Sequence, residues 1–164
     1  MMLGLSLHAF TILHVVISLI GIVSGLLVLS GMFKSQSMPG MTAIFLITTI
    51  LTSVTGFMFP FEKLLPSHMV AILSLILLAI ACIALYSTKL AGWRAIYVIT
   101  AVASLYLNVF VLVIQSFLKI GPLHALAPSV PPSEPPFAII QGIVLVLFVI
   151  AGIVAVRRYR PALS

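Results

Sequence analysis

The stretch Leu5–Phe33, LSLHAFTILHVVISLIGIVSGLLVLSGMF, runs for 29 positions without one Asp, Glu, Lys or Arg. The hydrocarbon core of a bilayer is about 30 Å thick, and a helix needs roughly 20 apolar residues to cross it. This segment is long enough to do so. A membrane-crossing β-strand is shorter and alternates polar with apolar residues, a pattern this stretch lacks. Four more stretches read the same way, Gly40–Pro60, Ser67–Thr88, Gly92–Leu118 and Pro136–Val156. The chain is 63% hydrophobic and 6% charged, with a mean hydropathy of +1.38. A soluble domain carries far more charge. The reading is an all-α, polytopic membrane protein, a single domain spanning 1–164 built as a bundle of five transmembrane helices. In lipid, only helices and closed barrels satisfy their own backbone groups.

The first run differs from a secretory signal. It lacks a basic leading region, its apolar stretch is longer than usual, and no small-residue cleavage site ends it. It is therefore expected to remain as a helix. The single cysteine, Cys82, lies inside the third run and reads as small apolar filler.

The net charge of +6 resembles that of a nucleic-acid binder, but the basic residues sit at helix ends. They act as topology signals, with an added attraction to anionic lipid headgroups. Lys34, Lys89, Arg94, Arg157, Arg158 and Arg160 fall on one side. Lys63 and Lys119 fall on the other, in or beside loops that hold Glu62 and Glu134. Short cytoplasmic loops are enriched in Lys and Arg. The expectation is a cell-membrane protein with its N-terminus outside and its C-terminus in the cytoplasm. The bilayer is then the first partner, nucleic acid is excluded, and a membrane protein or a second copy of the chain is a candidate for the rest. Under this topology His8, His14, His68 and His124 all gather toward the outer side.

Side-chain stripes divide the helices further, because residues three and four apart share a face. His14, Ser18, Gly21 and Gly25 lie on one arc of the first helix, and the Gly21–Gly25 pair allows close helix packing. The second helix aligns Thr48, Thr52 and Thr55. The third aligns His68, Leu75, Ala79, Cys82 and Tyr86. The fourth aligns Tyr97, Ser104, Asn108 and Gln115. The fifth carries Gln141 with Gly152 beneath it. His14 and Asn108 should sit roughly 12–15 Å below the outer interface, and Gln115 and Gln141 roughly 5–8 Å below it. The candidate ligand-binding residues are therefore His14, His68, Asn108, Gln115 and Gln141, lining a cavity that opens toward the proline-rich loop Gly121–Pro136. Part of that loop, Pro122–Ala127, fits one amphipathic turn; the rest reads as a connector. Trp93, Tyr97, Tyr86 and Tyr159, with Phe57, Phe59 and Phe61 at the other end, read as aromatic-belt anchors. Interhelical bonds by Asn, Gln, Ser and Thr are also ordinary glue, and threonines often bond their own helix.

Chemistry is poorly represented. Glu62 and Glu134 are the only acids and both lie in loops, so no carboxylate stands in the membrane to couple ion transport. Motifs for zinc hydrolysis, a serine nucleophile or a phosphate loop are missing. No internal repeat is evident. Two histidines from different helices suit the axial positions of a haem, which makes haem b one candidate cofactor through His14 and His68. Met58, Met69 and His68 form a soft set compatible with copper(I). The motifs rank a non-catalytic structural or interacting membrane subunit first. A redox or ligand-binding protein with an outward-facing pocket for a haem, metal or quinone-like molecule comes next, and a carrier or channel for a small neutral solute last.

Overall fold

The computed structural model describes residues 4, 6–59, 66–87 and 92–161. Leu5, Pro60 and Thr88, which end three of the expected spans, lie outside these residues. So do Phe61, Glu62, Lys63 and the turn 89–91. The described residues form six helices: α1 (Leu7–Phe33), α2 (Pro39–Phe57), α3 (Pro66–Tyr86), α4 (Trp93–Lys119), α5 (Gly121–Leu126) and α6 (Pro135–Arg158). Five of them are long and apolar enough to cross a membrane. The protein is an all-helical membrane protein, and α5 is the single turn expected around His124.

Local chemistry sets the helix ends. Ser6 caps α1 by accepting from the Ala9 N–H at 3.2 Å. Pro39 and Pro135 stand in the first turn of α2 and α6, where the lost N–H has no helical partner to miss. Gly92 starts α4 with φ of 89°, a conformation that costs a residue with a Cβ. The hairpin between α1 and α2 turns at Ser35, also at positive φ. Just beyond α6, the backbone N–H of Arg160 donates to Ser35 Oγ at 2.7 Å. The guanidinium of Arg94 at the head of α4 donates to the carbonyl of Val156 at 3.0 Å and to that of Tyr159. One cation thus satisfies two carbonyls at a helix C-terminus, where cations are favoured.

Helices α1 to α4 close a ring in which α1 meets α2, α2 meets α3, α3 meets α4, and α4 returns to α1; α6 lies outside against α4 and α1. Burial follows this order: 44% of the most apolar window of α4 is buried, against 11% for α6. The core at the arginine end is apolar and tight, built on Met32, Phe45, Leu78, Tyr97, Val98 and Leu105. Outward-facing residues such as Val23, Ile47, Ile83, Ile99 and Leu147 are more than half exposed, one in each spanning helix. Lipid is the solvent for such a surface.

Two stripes differ from the sequence expectation. The buried face of α3 runs through Ser74, Leu78, Ala81 and Ala84, whereas Tyr86 is 90% exposed and Ala79 is exposed. The face is turned by roughly a third of a turn from the expected one at 100° per residue. Between His68 and Tyr86 every position of α3 is apolar or small, so composition gave no sharp edge. Tyr97, expected as a belt anchor as well as a stripe member, is buried to 1% and stacks on Tyr159 with centroids 6.2 Å apart.

Candidate functional site

Toward the histidine end the ring of helices stops filling its centre. Large side chains give way to Ser, Thr and Ala: Ser18 on α1, Thr49, Thr52 and Ser53 on α2, Ala71 and Ser74 on α3. They leave a cavity of about 540 Å³, within the usual range for small-molecule sites. His14 from α1, His68 from α3, and Asn108 and Gln115 from α4 all line it, with Lys119 and Ile120 at its end. Four of the five candidate ligand residues therefore share one space.

His14 is held in place. Its Nδ1 lies 2.7 Å from Thr55 Oγ1, and its ring meets Phe59 edge-on at 5.3 Å. Phe59 in turn packs on Phe10 at 5.0 Å. His68 is buried, with its ring 5.7 Å from that of Phe57. Asn108 Oδ1 accepts from Ser18 Oγ at 3.1 Å. Its Nδ2 is buried without a partner among the described residues. That nitrogen faces Gly21, where an added Cβ would come within 3.2 Å of it and equally near Thr48 and Thr49 Oγ1. One turn on, a Cβ at Gly25 would lie 2.6 Å from Leu105 Cδ1 and 2.9 Å from the Phe45 ring. The two glycines thus let α2 and α4 close on α1 beneath the cavity.

Gln141 is elsewhere. Its Nε2 donates to the Phe110 carbonyl at 3.0 Å, and it does not line the cavity. Helix α6 packs on the outer side of α4, and Phe110 is about 200° around α4 from Asn108. One polar stripe cannot serve both sides. The cavity wall ends at Ile120, so the loop 121–134 contributes no residue to it. That loop closes on itself: Glu134 accepts from the Ser129 N–H at 3.0 Å, from the Ser129 hydroxyl and from the Ser133 N–H at 3.1 Å. The Ser129 hydroxyl foremost holds the Glu134 carboxyl below its ordinary range. The candidate copper set is also divided, since Met69 is 63% exposed while His68 is buried.

Sequence reading missed three contributors. Thr49, Ser53 and Ser74 are buried, but their hydroxyls bond their own helix or one another, as with Ser53 and Ser74 at 3.2 Å. Nothing in the sequence separates such residues from ordinary helix serines. Phe59 read only as a belt residue. Lys119 read only as a topology signal, although it lies four residues beyond Gln115 and so on the same face. Comparison with protein-family models, curated proteins and solved structures finds no match.

Proposed function

We propose that this membrane protein binds a small, largely apolar molecule in the cavity between α1, α2, α3 and α4, on the outward-facing side of the bilayer. One observation carries the reading: three helices bring an imidazole pair and two amides to the wall of one cavity of about 540 Å³. A bundle that used these groups only as glue would bond them to each other and close the space, as interior packing ordinarily does. Here His14 and Asn108 each reach a hydroxyl on a neighbouring helix, Thr55 and Ser18, yet the space between the helices stays open. The apolar share of the wall suits a quinone-like or lipid-like body, and the polar groups suit its head. Among the described residues the polar groups on the wall are hydroxyls, imidazoles, amides and one lysine, a set that suits holding a ligand's head by hydrogen bonds.

The test is purification of the full chain in mild detergent, followed by an absorption spectrum and mass spectrometry of the organic extract. Ala71→Phe, which fills the cavity from α3, should remove the bound molecule while leaving a folded protein. A Soret band lost in both His14→Ala and His68→Ala would identify the molecule as haem. An extract that is empty, or the same for wild type and Ala71→Phe, would refute the reading. The second reading, a non-catalytic membrane subunit, draws on α6. Its sparse burial leaves a long apolar face for lipid or a partner helix.

A further inference from the structure

The polarity of the cavity wall narrows the ligand class. A hydroxyl has one proton to donate, and most of those on this wall are spent. Thr49 Oγ1 donates to the Phe45 carbonyl at 2.7 Å, Thr52 to that of Thr48 at 2.8 Å, and Ser116 to that of Leu112 at 2.8 Å. Ser53 donates to the Thr49 carbonyl at 3.0 Å or to Ser74, and Ser18 to Asn108 Oδ1. What these oxygens offer a ligand is lone pairs.

His14 follows the same rule by one step more. Thr55 Oγ1 donates to the Leu51 carbonyl at 2.7 Å, so at its contact with His14 it can only accept. The proton of the neutral imidazole is then on Nδ1, an assignment made from the hydrogen-bond network. Nε2 is left with a lone pair on a ring that lines the cavity. The Asn108 amide donors are turned away, toward Gly21. Gln115 and Lys119 supply donors only toward the cavity's end.

We infer that the cavity selects a neutral molecule that donates a hydrogen bond, an apolar body carrying a hydroxyl, over the same body with acceptors only. The inference rests on the proposed reading of the cavity as a binding site. A cation would also satisfy an acceptor-rich wall, but Lys119 on the same wall repels it, and no acid among the described residues of the wall balances it. Among quinone-like molecules the quinol fits and the quinone does not. Beside His14 Nε2 and the spent hydroxyls of α2, a quinone brings only carbonyls to lone pairs, and buried acceptors facing acceptors leave both unpaired.

The experiment measures binding of a decyl-substituted benzoquinol and of its dimethyl ether to the full chain in lipid nanodiscs, kept under reducing conditions. The quinol should bind roughly five- to tenfold more tightly, the ratio expected for one well-made hydrogen bond. His14→Phe keeps the ring contact with Phe59 but removes Nε2, and should bring the ratio near one. Thr55→Val gives a second route if His14→Phe does not fold. Without the oxygen that fixes the Nδ1 proton, the ratio should fall without loss of ether binding. Equal binding of both probes by wild type, blocked by Ala71→Phe, overturns the inference and leaves the site reading standing. A preference that survives both His14→Phe and Thr55→Val overturns it too. Binding of either probe that Ala71→Phe does not block, or none at all, overturns the site reading and the inference with it.

Discussion

Replacing Gly25 with alanine adds one methyl at the tightest helix contact below the cavity. That carbon would stand 2.6 Å from Leu105 Cδ1 and 2.9 Å from two carbons of the Phe45 ring. Carbon atoms prefer about 3.5–4.0 Å, so both neighbours must retreat by about 1 Å. Both are buried to 1%, so they retreat only against other packed side chains. Overpacking of this kind costs about 1–3 kcal/mol. Against it stands the helix preference for alanine over glycine, about 1 kcal/mol. The net expectation at Gly25 is destabilisation of up to about 2 kcal/mol. Two other glycines calibrate the effect. Gly21 meets polar atoms at 3.1–3.2 Å, so its alanine should be less costly than that at Gly25. Gly142 has nothing within 4 Å, so alanine there should be neutral or stabilising by up to about 1 kcal/mol. Reversible unfolding in mixed micelles, with the three variants compared at equal denaturant slope, gives the order directly. A Gly25→Ala protein as stable as Gly142→Ala would show that α1 does not press on α2 and α4 at this height, and the packing beneath the cavity would have to be redrawn.

Two further outcomes follow from features outside the core. Fused after Ser164, a reporter enzyme active only in the cytoplasm should be active, because six basic residues against two mark that side; activity of a periplasm-only reporter there instead would reverse the topology and turn the cavity inward. The loop 127–134 should loosen in acid. The Glu134 carboxyl is held below its ordinary range by Ser129 and Ser133, so its contribution is complete above the ordinary carboxylate value and is lost as pH falls through the lowered one. Hydrogen exchange at Ser129 and Ser133 should therefore quicken in acid beyond the intrinsic pH effect, and Glu134→Gln should be faster than wild type at neutral pH. Exchange in that variant matching wild type would show that the carboxylate does not hold the loop.

The residues divide clearly between what composition dictates and what packing decides. Five apolar runs of about 20 residues or more, with Arg94 their one formal charge, dictate five helices, because backbone groups in lipid have no other way to be satisfied. Helix ends follow from Ser6, Pro39, Gly92 and Pro135, whose effects are local. The glycine pair on α1 and the stripe Ser104–Asn108–Gln115 on α4 were legible too, since each stands out against aliphatic neighbours. Which side of each helix met which neighbour was not. On α3 every side chain between His68 and Tyr86 is small or apolar, so nothing in that stretch marks the face that the structure buries through Ser74, Leu78 and Ala81. Gln141 looked like a partner for Asn108 and Gln115, but α6 docks outside the ring and spends that amide on the Phe110 carbonyl. Proton direction was hidden as well. Thr55 Oγ1 meets the Leu51 carbonyl of its own helix and His14 Nδ1 of α1 at once, and the second contact exists only because α1 packs on α2. Helix existence is fixed by the solvent each residue demands, which the sequence carries position by position. Helix partners, and the lone pairs that face the cavity, are fixed by which surfaces fit together, and that arises only when all the helices are packed.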